Sequence, residues 1–133
     1  MNFKLHHLGY VTDNISRTLN EFRILGYTES EIVKDEIQNV NICFLTKEDT
    51  LMIELVEPAD ERSSVHKMLK KNGVSPYHIC YEVEDISKAF DYLTETEGYI
   101  PLFRPVEAAA MDNRLICYLY KKEVGFVEIV SKI

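Results

Sequence analysis

Hydrophobic and polar positions change period along the chain, and the changes mark out its elements. Residues Leu5–Thr12 alternate as a strand. Ile15, Leu19, Phe22 and Leu25 then recur at helical spacing, predicting a helix that Asp13 or Asn14 caps and Gly26 ends. Thr28–Val33, Val40–Leu45 and Leu51–Val56 read as three strands, with Lys47-Glu48-Asp49-Thr50 as a polar turn before the last. From Pro58 to Pro76 the pattern is that of a connection. Within it, Ser63-Ser64 starts a short helix with Val65, Met68 and Leu69 on one face, and Asn72-Gly73 stops it. The first pattern then returns. Tyr77–Val83 is a strand, and Asp85 caps a helix carrying Ile86, Phe90 and Leu93. After Gly98, the runs Ile100–Arg104, Leu115–Tyr120 and Phe126–Val130 are strands.

The return extends to the residues themselves. His7-Leu8-Gly9-Tyr10 recurs 71 positions later as His78-Ile79-Cys80-Tyr81. Ile42-Cys43-Phe44-Leu45 recurs 74 positions later as Ile116-Cys117-Tyr118-Leu119. Met52-Ile53-Glu54-Leu55-Val56 recurs at the same offset as Phe126-Val127-Glu128-Ile129-Val130. A self-similar period of this kind decides the architecture. The chain reads as one domain of α+β class, made of module one over about 1–57, a linker with a short helix over 58–75, and module two over 76–133. Each module carries one histidine near its start and one glutamate near its end.

Strand alternation gives those four residues a common setting. Side chains on a strand point to opposite faces in turn. Ile79, Tyr81 and Val83 share the face suited to a helix, whereas His78, Cys80 and Glu82 share the other. Glu54 opposes Ile53 and Leu55, and Glu128 opposes Val127 and Ile129. Each acid therefore sits among apolar neighbours, Met52 and Val56 in one case, Phe126 and Val130 in the other. An unpaired carboxylate in such a place is costly, and a cation is the simplest compensation. Two related halves folded together would bring His7, Glu54, His78 and Glu128 around one metal ion.

Charge and composition narrow the partners. A net charge of −7 over 133 residues argues against nucleic acid as a partner. No apolar run reaches the roughly 18–20 residues of a membrane span, and the start has no apolar signal segment, so a cytoplasmic location is expected. Cys43, Cys80 and Cys117 form no CxxC pair and suit a reducing compartment. Cys43 and Cys117 hold equivalent places in apolar runs and read as buried small hydrophobes. Tyr10 and Tyr81, also equivalent, read as core packing.

The paired halves, the HHLGYV opening, the MIELVEP strand, the PYHICYEVEDI junction and the closing FVEIV resemble the vicinal oxygen chelate superfamily. This family includes glyoxalase I (lactoylglutathione lyase), methylmalonyl-CoA epimerase, extradiol dioxygenases and the fosfomycin and bleomycin resistance proteins. The resemblance covers essentially the whole chain. It implies two tandem βαβββ modules whose curved sheets enclose a metal cleft, and probable ligands are carried over residue by residue to His7, Glu54, His78 and Glu128. His6 has no counterpart in the second copy and is set aside. Nitrogen and oxygen ligands without thiolate suit one divalent ion per chain, Ni²⁺, Co²⁺ or Zn²⁺ first. The same resemblance implies a carboxylate base at the metal edge, Glu128 first and Glu54 second.

Two reactions then compete. The His-Glu-His-Glu set points first to a glyoxalase I-type isomerase, which converts a 2-oxoaldehyde–thiol hemithioacetal to a 2-hydroxyacyl thioester by proton transfer. The middle of the chain, from Ile53-Glu54-Leu55-Val56-Glu57-Pro58 to His78–Val83, looks more like methylmalonyl-CoA epimerase. Against that branch, Asn41 and Ile42 stand where some epimerases carry a second acid. Met111-Asp112-Asn113-Arg114 and Tyr120-Lys121-Lys122 replace the glycine-rich turn and His-Pro-Lys. A ligand-sequestering protein of the resistance type is a third reading, although such proteins typically lack several of the four ligands. The implied partners are a small-molecule thiol adduct or acyl thioester and a second copy in a homodimer. Lys70, Lys71 and Arg114 are candidates for an anionic part of the substrate.

Overall fold

The computed structural model describes every residue from Met1 to Ile133, and the chain divides into two compact units. One is His7–Tyr77, and the other joins Met1–His6 to His78–Ile133. The connecting helix thus belongs to the first unit.

In the first unit the strand β1 (Lys4–Val11, from His7 onward) leads to helix α1 (Ile15–Ile24). Asn14 starts that helix in extended conformation, and its side chain accepts a hydrogen bond from the Arg17 amide. Glu57 reaches over from the last strand of the unit and accepts from the Ile15 amide at 2.9 Å. Two of the amides that a helix start leaves without partners are thereby satisfied. The sheet contains β2 (Thr28–Glu29), β3 (Val33–Asp35), β4 (Val40–Thr46) and β5 (Met52–Pro58). β5 runs parallel to β1 and antiparallel to β4, while β2 and β3 both pair with β4. Ile15 and Leu19 of α1 pack on Cys43, Leu45, Ile53 and Leu55, with Tyr10, Phe22 and Tyr27 closing the edge. One face of β4 and β5 is therefore committed to the helix, and Phe44 and Glu54 lie on the other by alternation. Helix α2 (Ser64–Asn72) follows and packs against β5.

The second unit repeats the plan. β6 (Ser75–Val83, from His78 onward) runs parallel to β10 (Gly125–Ser131), and β9 (Arg114–Lys121) lies antiparallel to β10. β7 (Ile100–Pro101) and β8 (Val106–Ala108) pair with β9. Helix α3 (Ile86–Asp91) is capped by Asp85, which accepts from the Lys88 amide. Val83, Ile86, Ala89, Phe90 and Leu93 pack on Cys117, Leu119 and Ile129. The α+β class and the strand–helix–strands order of each half are those expected from the repeat.

The two halves differ by one residue between their histidines and their post-helical glycines, 19 positions from His7 to Gly26 but 20 from His78 to Gly98. The structure absorbs the extra residue in a π-helical turn, Tyr92–Thr96, continuous with α3. The Thr94 hydroxyl donates to the Phe90 carbonyl there. Two strands depart from expectation. The run Thr28–Val33 is broken after Glu29 because the Ser30 hydroxyl takes a ladder position, accepting from the Phe44 amide at 2.9 Å. Ile100–Arg104 pairs only through Pro101, and β8 takes up the pairing with β9 further on. β8 is three residues long and has no readable alternation.

Candidate metal half-sites

Each unit builds a buried histidine–glutamate pair by the same register. In the first unit His7 lies opposite Met52 and Gly9 opposite Glu54, across the parallel pair β1–β5. In the second, His78 lies opposite Phe126 and Cys80 opposite Glu128, across β6–β10. The glutamate is thus two residues beyond the histidine's partner in both, on the same face. His7 Nε2 is 3.4 Å from Glu54 Oε1, and His78 Nε2 is 3.0 Å from Glu128 Oε1. All four side chains are buried, none more than 3% exposed.

An aromatic ring completes each pair, again from equivalent positions. Phe44 lies opposite Glu54 on β4, and Tyr118 lies opposite Glu128 on β9. Phe44 meets the His7 ring edge-on at 5.5 Å between centroids, and Tyr118 meets the His78 ring at 5.0 Å. The T-shaped contact fixes the plane of each imidazole, so that its nitrogen is already aimed before a ligand arrives. The repeat of Phe44 as Tyr118 was readable in the sequence, but nothing in it says that these rings orient the histidines. Each half-site therefore offers one imidazole nitrogen and one carboxylate oxygen in a dry setting, a donor set that fits a borderline divalent cation.

The other candidates lie elsewhere. His6 Nε2 is 3.5 Å from Arg114 Nη1. Arg114 also donates through Nε to the Ser131 carbonyl at 2.7 Å and through Nη2 to Glu82 at 2.5 Å. Its side chain is only 12% exposed, so its charge is spent on joining β6, β9 and β10. Lys70 and Lys71 are exposed in the last turn of α2, where positive charge suits the helix dipole.

All three cysteines are free and buried. Cys117 projects into the α3 core, and burial first, then the Glu128 charge, pushes its thiol up to about 12. The folded value lies above that of a free thiol, about 8.5. The stability it contributes is therefore whole below that pH and falls away as pH climbs toward about 12. Cys117 is expected to resist iodoacetamide at pH about 8.5 in the folded protein and to react once urea unfolds it. Intact-mass and peptide analysis reads this out, and rapid native labelling at Cys117 would contradict it.

No helix of the chain is long and apolar enough to cross a membrane.

Known proteins share this arrangement over most of its length. The family model of the Glyoxalase/Bleomycin resistance protein/Dioxygenase superfamily matches residues 6–118. A mitochondrial methylmalonyl-CoA epimerase of Dictyostelium discoideum is 28% identical, over 97% of this chain and 78% of its own length. An ethylmalonyl-CoA/methylmalonyl-CoA epimerase of Cereibacter sphaeroides is 34% identical, over 69% of each chain. Among solved structures, Streptomyces coelicolor methylmalonyl-CoA epimerase in complex with 2-nitronate-propionyl-CoA superposes with a TM-score of 0.83. It is 25% identical and covers 97% of this chain and 96% of its own. The matches span both modules and are to enzymes that are isomerases. With its duplicated fold and a model match running from the first strand into the ninth, the chain belongs to the glyoxalase/bleomycin resistance/dioxygenase, or vicinal oxygen chelate, superfamily.

Proposed function

We propose that this protein is a divalent-metal-dependent epimerase of a 2-carboxyacyl-CoA thioester of the methylmalonyl-CoA kind. The observation that carries the reading is the duplicated buried His–Glu pair, 3.4 Å and 3.0 Å across, in a chain whose curated relatives are methylmalonyl-CoA epimerases. The relatives favour this reaction over the glyoxalase I-type isomerisation that the ligand set alone suggests first.

In this reading His7, Glu54, His78 and Glu128 hold one ion, Ni²⁺, Co²⁺ or Zn²⁺. Bound there, the ion supplies Lewis acidity, lowering the cost of negative charge on a thioester oxygen when the adjacent carbon loses its proton. The protein's own groups handle the proton. Glu128 takes it from the carbon between thioester and carboxylate, and inversion follows when a proton returns to the opposite face. Glu54 is the second buried carboxylate of the set and the group to return it. The apolar surroundings of both acids exclude water, which keeps the proton under their control. The three free, buried cysteines suit a reducing compartment, and we expect a homodimer.

The test strips the protein of metal, restores Ni²⁺, Co²⁺ or Zn²⁺, and follows methylmalonyl-CoA in deuterated water. Metal-dependent deuterium uptake at the carbon between the two carbonyl groups, with racemisation, is the expected result. A methylglyoxal–glutathione hemithioacetal runs in parallel. Thioester formation from it, with methylmalonyl-CoA inert, would reinstate the isomerase reading and sink this one.

A further inference from the structure

Helix α2 has a start that nothing in the protein satisfies. Ser63 is its capping residue, in extended conformation with φ −63° and ψ 137°, yet its side chain makes no capping hydrogen bond. A serine in this place ordinarily accepts from an amide of the first turn. Here the hydroxyl has no partner of any kind, although Ser63 is only 3% exposed. A buried hydroxyl without a partner costs about 1–3 kcal/mol, so its retention calls for a use.

The neighbouring groups do not supply one. The His66 amide goes to the Ser63 carbonyl at 3.1 Å. The Ser64 and Val65 amides stand at the first two helical positions, where no carbonyl precedes them within the helix. Asp60 is the nearest acid in sequence that could have capped the turn, but its carboxylate is taken by the Arg62 side chain and amide and by Asn39. A nine-residue helix start, an unpartnered hydroxyl and unfilled amides thus coincide at one point. Together they make a donor set for an anionic oxygen. Ser64 is exposed, so the point opens to solvent on that side. Within the first unit α2 packs on β5, the strand that carries Glu54.

We propose that the start of α2, with Ser63 as hydroxyl donor and Ser64 and Val65 as amide donors, binds the free carboxylate of a 2-carboxyacyl thioester. This deepens the epimerase reading and rests on it for the identity of the substrate. It also names a feature that separates the two reactions, since a hemithioacetal of a simple 2-oxoaldehyde brings no carboxylate beside its reacting carbons. A carboxylate held at α2 leaves the thioester carbonyl as the oxygen that turns toward the His–Glu pairs.

The test uses the zinc-loaded, isotope-labelled full chain. The Ser64 and Val65 amide resonances are expected to shift with malonate and with methylmalonyl-CoA, and to stay in place with propionyl-CoA, which lacks the carboxylate. Ser63→Ala is expected to raise KM for methylmalonyl-CoA about tenfold or more, the scale of a lost hydrogen bond to a charged group. Its thermal midpoint should hold, because the hydroxyl has no internal bond to lose, and Ser63→Thr should restore KM. If methylmalonyl-CoA turns over while these amides ignore both it and malonate, the carboxylate site is overturned and the epimerase reading survives. If malonate shifts the amides but methylmalonyl-CoA is never epimerised, the site stands and the function falls. An equal loss of affinity for propionyl-CoA in Ser63→Ala would also overturn the proposal.

Discussion

Glu128→Gln is expected to lower kcat for the proposed epimerisation by about 10²–10⁴-fold, the range in which a positioned general base acts. That is roughly 3–5 kcal/mol of transition-state stabilisation. The amide keeps the shape of the side chain and an oxygen to set against His78 Nε2, now 3.0 Å from the carboxylate, but it cannot accept the substrate proton. A weaker metal ligand would also reduce activity, so the rate is to be read at saturating metal with bound metal measured alongside. Deuterium uptake at the reacting carbon should fall as far as turnover, because the first proton transfer is the step removed. Glu54→Gln is the matched control. Its carboxylate has the same register, burial and histidine partner. Under the proposed roles it impairs return of the proton on the other face, so deuterium uptake without inversion should survive in part. If Glu54→Gln stops uptake and Glu128→Gln does not, the base is Glu54.

Much of this geometry was legible before any coordinates, and the reason is the duplication. A lone strand histidine carries little information. Here His7 and His78, then Glu54 and Glu128, stand at matching places in two copies, and period-two alternation puts each acid opposite its helix-facing neighbours. Core positions followed from the same alternation: Ile53 and Leu55 pack under α1, and Ile129 under the α3 side. What escaped were features set by tertiary contact. The break at Ser30 depends on its hydroxyl entering the ladder of β4. The start and length of β8 depend on β9 as a template. Arg114 looked like an anion anchor because it opens a strand, whereas its partner Glu82 is 32 residues away in sequence and its second acceptor, the Ser131 carbonyl, is main chain. Ser63 was correctly placed at a helix start, yet sequence alone would have assigned it an ordinary cap.

The same duplication makes a sharper prediction about stability. Metal that binds only the folded protein stabilises it by mass action, about 4 kcal/mol at a thousandfold excess over Kd. For a chain of this size that is a rise of roughly 12 °C or more in Tm. The stripped protein is therefore expected to melt that far below the Zn²⁺-saturated one. His7→Ala and His78→Ala each remove one imidazole of an equivalent pair, both from buried positions against an aromatic ring. Both variants should lose most of the metal-induced rise, and by similar amounts. Loss of packing lowers the midpoint of either variant with or without metal, so the difference between stripped and loaded midpoints is the quantity to compare. His6→Ala, which touches only the Arg114 end of the second unit among the contacts described, should keep the full rise. A rise that survives His7→Ala but not His78→Ala would mean that one half-site binds alone. The four-ligand assignment would then fail, and with it the idea that both copies were kept for the same ion.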